Sequence, residues 1–126
     1  MRLILDAGAL LAVERGDRDT VALLKRELIE RRVPLTHGGV VAQVWRSGTG
    51  RQAVLGRLLA SCEVVPFDDT LGRRIGVLLG RARKTDVVDA AVVLLAADGD
   101  MILSSDPGDL RALAVSAGIH VDIVVA

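Results

Sequence analysis

The chain has 126 residues, of which 51% are hydrophobic and 2% aromatic, which suits one compact domain over residues 1–126 with an aliphatic core. Its 16 Lys and Arg residues balance 16 Asp and Glu residues, so no global basic charge draws it onto nucleic acid. The lone cysteine, Cys62, excludes an internal disulfide and a thiolate zinc cage, and fits a reducing, cytoplasmic location. No apolar run approaches the roughly 20 residues of a membrane helix.

Short β-like runs alternate with helical stretches from the first residues onward. The first half predicts a strand at 2–5, a helix at 9–13, a helix that Asp17 caps and residues 31–32 close, a strand at 33–36, a helix at 37–45, a turn at 47–50 and a helix at 52–60. Because Pro34 lies in the second strand and cannot donate a ladder hydrogen bond, we expect that strand to be less central.

The same alternation continues to the end of the chain. The second half predicts a strand at 63–65, a helix that Asp68 caps and that runs to about residue 83, a helix at 86–97, a turn at 98–100, a strand at 101–104, a helix from 106 to about 118 and a strand at 119–125. Five strands alternating with helices predict an α/β fold: a three-layer α/β/α sandwich around a mainly parallel sheet.

Acidic residues follow two of these strands. Asp6 comes directly after the first strand, and Asp106 lies just past the fourth. Asp86 and Asp89 begin a helix that can open at the same edge of the sheet. In parallel sheets the functional crevice lies beyond the carboxyl ends of the strands, near a topological switch point, so we expect these carboxylates to meet there.

Each of these aspartates also has a structural explanation, because Asp is a preferred helix N-cap residue and Asp106 precedes a proline. Taken together, however, converging carboxylates repel one another and need compensation. A hard divalent cation such as Mg²⁺ or Mn²⁺ supplies it, and such an ion can activate a water and stabilise an attacked phosphate.

Four stretches of the chain, in this order and spacing, resemble the PIN domain, in particular the VapC-like toxins of type II toxin–antitoxin systems. They are residues 3–9 (LILDAGA), 42–46 (AQVWR), 85–92 (TDVVDAAV) and 102–110 (ILSSDPGDL). The resemblance implies a PIN-like fold and a Mg²⁺- or Mn²⁺-dependent endoribonuclease that cuts RNA with metal-activated water. It also implies a homodimer that a cognate VapB-like antitoxin neutralises.

The resemblance assigns roles to particular aspartates. Asp6 is similar to the first acidic ligand, Asp89 to the third and Asp106 to the fourth. Asp86 is a further candidate for the third role, because it lies one turn from Asp89 on the same helical face. Ser104 keeps a hydroxyl-rich approach to the last acid.

Two residues depart from the family pattern. Gln43 stands where the second acid is usually a glutamate, and Gly8 stands where a serine or threonine is common. We therefore expect a lower metal affinity and one polar contact fewer at the site. The alternative function is a catalytically weakened or inactive PIN-like module that binds RNA or a partner. A receiver-like phosphotransfer domain is a third possibility, but Lys84 is poorly placed to be its strand-end lysine.

Three other features have both a structural and a functional interpretation. His37, at a helix start, suits a cap or a surface position better than a metal site, and Trp45 suits a core or a subunit interface better than base stacking. A basic run lies beside the acidic helix. It is either a solvated face or a surface that steers RNA or binds an acidic antitoxin tail, and it consists of Arg73, Arg74, Arg81, Arg83 and Lys84.

Overall fold

A computed structural model describes residues 1–47 and 50–126, so residues 48 and 49 of the turn expected at 47–50 lie outside the described residues. Helices and strands alternate as the sequence predicts. In chain order they are β1 (Leu3–Leu5), α1 (Ala7–Glu14), α2 (Arg18–Ile29), β2 (Leu35–His37), α3 (Gly38–Val44), α4 (Gly50–Ala60), β3 (Glu63–Val65), α5 (Asp69–Ala82), α6 (Val87–Leu95), β4 (Met101–Ser104), α7 (Gly108–Ala117) and β5 (Asp122–Val125).

The five strands form one parallel sheet in the order β3-β2-β1-β4-β5. Helices α2, α3 and α4 pack on α1, whereas α5, α6 and α7 pack on one another, and right-handed crossovers place these two groups on opposite faces. The three-layer α/β/α sandwich is therefore confirmed. Because the chain first moves from β1 to β2 and β3 and later returns to β4, the topological switch point lies between β1 and β4.

The core is aliphatic. Strand β1 is buried along its whole length, because a parallel sheet covered on both faces needs apolar residues on both sides of its inner strands. Helix α6 buries residues 90–93. Helix α5 is amphipathic, with Leu71, Ile75 and Leu78 buried at helical spacing. No helix in the described part of the chain is both long and apolar enough to cross a membrane.

Aspartates begin several helices, as the sequence predicts. Asp17 Oδ1 accepts a hydrogen bond from the amide of Asp19 at 3.3 Å, and Asp68 Oδ1 accepts one from the amide of Leu71 at 2.9 Å. These carboxylates satisfy amides that have no partner within the first turn of their helices.

The second strand is an inner strand. Leu35–His37 is buried between β1 and β3, and Pro34 precedes the strand. Its carbonyl accepts a hydrogen bond from the amide of Glu63 at 2.9 Å. The expectation that the proline makes this strand less central is therefore wrong. Pro34 lies just outside the strand, so its lack of an N–H group removes no hydrogen bond from Leu35–His37.

Several boundaries differ from the predicted ones, for local reasons. Helix α1 begins at Ala7, because Asp6 already caps it. Helix α2 ends at Ile29, and Arg31 adopts a left-handed φ of 57°. Strand β5 begins only at Asp122, because the amide and carbonyl of His120 hydrogen-bond to the turn at 98–99.

Two side chains occupy positions that the sequence did not predict. Trp45 is 41% exposed, with its ring beside Gly56 of α4, so its expected place in the core is wrong and the interface alternative stays a prediction. His37 caps α3 as expected, but its side chain is fully buried, so the surface alternative is wrong.

Candidate metal centre

The carboxyl ends of β1 and β4 bring two of the predicted site residues to the switch point. Leu5 of β1 is in register with Leu103 of β4, and the amide of Asp6 donates to the Leu103 carbonyl at 3.2 Å. Asp6 therefore lies level with Ser104, two residues before Asp106. Sheet geometry alone places these side chains at one edge.

Asp6 is a buried carboxylate that begins a helix. Its side chain is almost inaccessible, and its Oδ1 accepts a hydrogen bond from the Ala9 amide at 3.2 Å. Burial raises the pKa of this carboxyl group, and the negative charge of Asp106 raises it further. Hydrogen bonds from the Ser104 hydroxyl and from the Ala9 and Gly8 amides oppose that rise in pKa.

Ser104 connects Asp6 to Asp106. Its hydroxyl group lowers the pKa of the Asp6 carboxyl group, and its Oγ accepts a hydrogen bond from the amide of Asp106 at 3.0 Å. The side chain of Asp106 is exposed. The N-cap of α7 is Pro107, and it has no side-chain capping bond, so the expectation that Asp106 caps this helix is wrong. Its carboxylate is not committed to the helix start.

Asp86 and Asp89 stand at the start of α6. Asp86 Oδ1 accepts hydrogen bonds from the amides of Val88 and Asp89, both at 3.0 Å, which confirms its predicted capping role. Asp89 is half-buried, and burial is the largest of the effects that raise its pKa to about 6. The remaining effects are the charges of Asp86, Asp6, Asp109 and Asp106.

Asp109 extends this acidic group. It lies in the first turn of α7, and its Oδ1 is 3.1 Å from Nζ of Lys84. Lys84, the last residue of the basic run, therefore contacts the acidic group through Asp109. The acidic site predicted from the sequence did not include Asp109, although it follows Asp106 by three residues.

Gln43 lies on the exposed side of α3. Within residues 1–47 and 50–126, Gln43 does not take part in the hydrogen bonds described for Asp6, Asp89 and Asp106, and it does not contribute to the pKa shifts of Asp6 and Asp89. Its assignment as the altered second acidic position stays a prediction.

The chemistry of these donors fits a hard cation. The ligands on offer are carboxylate and hydroxyl oxygens, which Mg²⁺ and Mn²⁺ prefer, and the pKa values of Asp6 and Asp89 are raised. In the described part of the chain, no three Asp, Glu, His or Cys side chains already stand at ligand spacing. The two observations are compatible, because charges act over roughly 8–10 Å whereas Mg²⁺–oxygen bonds are about 2.1 Å long.

The buried imidazole of His37 contacts residues of both α3 and α6. Its Nδ1 accepts a hydrogen bond from the Gly39 amide at 3.0 Å, so the neutral ring carries its proton on Nε2, which lies 3.1 Å from the carbonyl oxygen of Val88. Burial lowers the pKa of His37, and the bond to Val88 opposes this effect. The ring also packs against Phe67, with ring centroids 5.6 Å apart. His37 thus ties β2 to the helix start that carries Asp89.

No protein-family model matches the chain, and no curated protein matches it. Among solved structures, it is similar to a chain in the crystal structure of VapBC2 from Rickettsia felis bound to a DNA fragment from their promoter. The TM-score is 0.72 over 98% of each chain. The two chains share a fold. Since their sequences are 9% identical, the match concerns the fold alone, and the site must be argued from this chain's own residues.

Proposed function

We propose that this chain is a metal-dependent endoribonuclease, a VapC-like toxin that cleaves RNA with metal-activated water. The observation that carries the proposal is the position of Asp6, Asp89 and Asp106 at the switch point, where burial and mutual repulsion raise the pKa of Asp6 and Asp89. Perturbed carboxylates that converge on the carboxyl edge of a parallel sheet are candidates for a functional site.

In this proposal Mg²⁺ or Mn²⁺ is held by Asp6, Asp89 and Asp106. When bound, the ion supplies an activated water and stabilises charge on the attacked phosphate. Asp89 carries a proton below about pH 6, so binding of the ion there would compete with that proton. Ser104 orients Asp6 and the chain at Asp106 through its hydroxyl, and Asp86 holds the start of α6 while adding negative charge.

Partners follow from the same proposal. The structural neighbour is a VapBC2 complex, which supports a VapB-like antitoxin as the partner of this chain. An RNA substrate, a homodimer and a cytoplasmic location stay predictions from the sequence. Arg74 and Arg81 are exposed members of the basic run that could receive RNA phosphates or an acidic antitoxin segment.

The decisive variant is Asp6→Asn, because asparagine keeps an Oδ1 atom that can cap α1 but loses the charge. We expect purified protein with Mn²⁺ to cut single-stranded RNA and the variant to lose cleavage. The matched control is Asp68→Asn, which makes the same change at a helix cap with the same three-residue spacing. Unchanged cleavage by Asp6→Asn contradicts the metal assignment.

The alternative function is a PIN-like module that binds RNA or a partner without catalysis. It is favoured by the uncharged Gln43 and by the absence, in residues 1–47 and 50–126, of three ligands already at metal spacing. Calorimetric titration with Mn²⁺ separates the two functions. Binding that Asp6→Asn abolishes supports the nuclease, whereas no binding at millimolar Mn²⁺ supports the module.

A further inference from the structure

The segment after β4 passes unusually close to the first turn of α1. A Cβ atom placed on Gly8 would overlap Ser105, at 2.5 Å from its Cβ and 2.8 Å from its backbone nitrogen, with Oγ nearer still. Rotation about χ1 of Ser105 moves only the hydroxyl oxygen, so it cannot relieve the overlap. Gly8 is therefore required for space. Its φ is not left-handed, since Gly16, Gly99 and Gly118 are the described glycines with positive φ.

This close approach joins the two strand-end carboxylates. Gly8 lies two residues after Asp6, and its amide helps to lower the pKa of the Asp6 carboxyl group, whereas Ser105 is directly followed by Asp106. The Oγ of the adjacent Ser104 accepts a hydrogen bond from the Asp106 amide, and the same hydroxyl group lowers the pKa of Asp6. Any displacement of Ser105 from α1 therefore moves Asp106 relative to Asp6.

We propose that Gly8 and Ser105 are a positioning pair for the acidic site. The Ser105 side chain fills the space that a side chain at residue 8 would occupy, and this contact sets the separation at which Asp6 and Asp106 share a divalent cation. The part of this inference that concerns the ion rests on the proposed function. The packing of Ser105 on Gly8 and its effect on the position of Asp106 do not.

The same contact bears on the polar contact expected to be missing at Gly8. The Ser105 hydroxyl stands in the space next to the α1 backbone where a hydroxyl-bearing side chain at residue 8 would begin. The site therefore keeps a hydroxyl group at this place, supplied by the segment after β4 instead of by α1. Ser104 and Ser105 have different roles, because it is Ser104 that accepts a hydrogen bond from the Asp106 amide.

The test is Gly8→Ala, with Gly76→Ala as its matched control. Both glycines lie in helices, where alanine is intrinsically favoured, but a Cβ at Gly76 meets no atom within 4 Å. We expect Gly8→Ala to weaken Mn²⁺ binding by about tenfold in calorimetry, as loss of a residue behind a metal ligand does. Gly76→Ala keeps the affinity of the unsubstituted protein. Equal affinities in the two variants contradict the positioning role.

A rescue variant and a metal-free measurement complete the test. Gly8→Ala combined with Ser105→Gly removes the overlap with Oγ and Cβ but not with the backbone nitrogen, so we expect partial recovery of Mn²⁺ affinity. No recovery contradicts the assignment of Ser105.

Hydrogen exchange with metal removed follows the Asp106 amide, which is bonded to Ser104 Oγ at 3.0 Å. We expect faster exchange in Gly8→Ala, and an unchanged rate overturns the proposal. If the unsubstituted protein binds no Mn²⁺, the proposed function fails, and this exchange rate still decides whether Gly8 positions Asp106.

Discussion

The imidazole of His37 joins the end of β2 to the first turn of α6, through the 3.1 Å contact of its Nε2 with the carbonyl oxygen of Val88. The next residue along the chain is Asp89. We expect His37→Phe to fill the buried space but to lose this bond and the cap on Gly39. The lost cap and bond should lower the free energy of unfolding by about 1–3 kcal/mol, measured by urea unfolding.

The function-related readout of the same variant is metal affinity. Asp89 follows Val88 directly, so loss of the His37 contact should loosen the start of α6. We therefore expect His37→Phe to bind Mn²⁺ more weakly, in addition to being less stable. His120→Phe is the control, since His120 is exposed and lies in the segment between α7 and β5. A variant that loses stability but binds Mn²⁺ normally would show that His37 only supports the fold.

Asp89 makes the stability of the metal-free protein depend on pH. Its pKa is about 6 in the folded chain against 3.8 for the free residue, so the folded state binds the proton more tightly. Its stabilising contribution is therefore complete below about pH 3.8 and is lost as the pH rises through about 6. At pH 8 we expect Asp89→Asn to be more stable than the unsubstituted protein, by roughly 1–2 kcal/mol after allowance for solvent screening.

The measurement is urea unfolding of both proteins at pH 5 and pH 8 in the presence of a chelator. His37 also makes stability depend on pH, because its lowered pKa reduces the stability of the folded state as the pH falls, opposite to Asp89. This contribution cancels when Asp89→Asn is compared with the unsubstituted protein at the same pH. Asp19→Asn is the control, because Asp19 also lies in a first helical turn but is exposed on α2. A gain in stability that is equal at both pH values refutes the electrostatic explanation.

Hydropathy patterning predicted the layers of this fold, because short buried strands and amphipathic helices such as α5 have clear periodicities. It also placed Asp6 and Asp106 at one edge, since that follows from parallel strands alone. The burial of His37 and the contact of Gly8 with Ser105 could not be predicted, because both depend on distances between segments far apart in sequence. The failed cap at Asp106 is a local example: the Asp-Pro pattern was favourable, but the Asp106 amide bonds to Ser104 Oγ and the helix begins after Pro107.

Restoring a charge at Gln43 tests whether this position belongs to the site. We expect Gln43→Glu to bind Mn²⁺ about tenfold more tightly and to cleave RNA faster, because a further carboxylate adds charge and a ligand for a hard cation. Ala42→Glu is the control, since the neighbouring residue is also exposed on α3 but points about 100° away around the helix. Equal gains in affinity indicate a general charge effect and place Gln43 outside the site.

Lys84 should influence metal and RNA in opposite directions. Its Nζ lies 3.1 Å from Asp109, whose charge is one of those that raise the pKa of Asp89. We expect Lys84→Met to strengthen Mn²⁺ binding by roughly two- to fivefold, because one partly exposed charge contributes about 0.5–1 kcal/mol. If the basic run also steers RNA, the same variant should raise the KM for RNA, most clearly at low salt. Arg83→Met is the control for the effect on metal, because this neighbouring side chain is exposed; equal changes in Mn²⁺ affinity in the two variants would mean that the Lys84–Asp109 pair has no specific role.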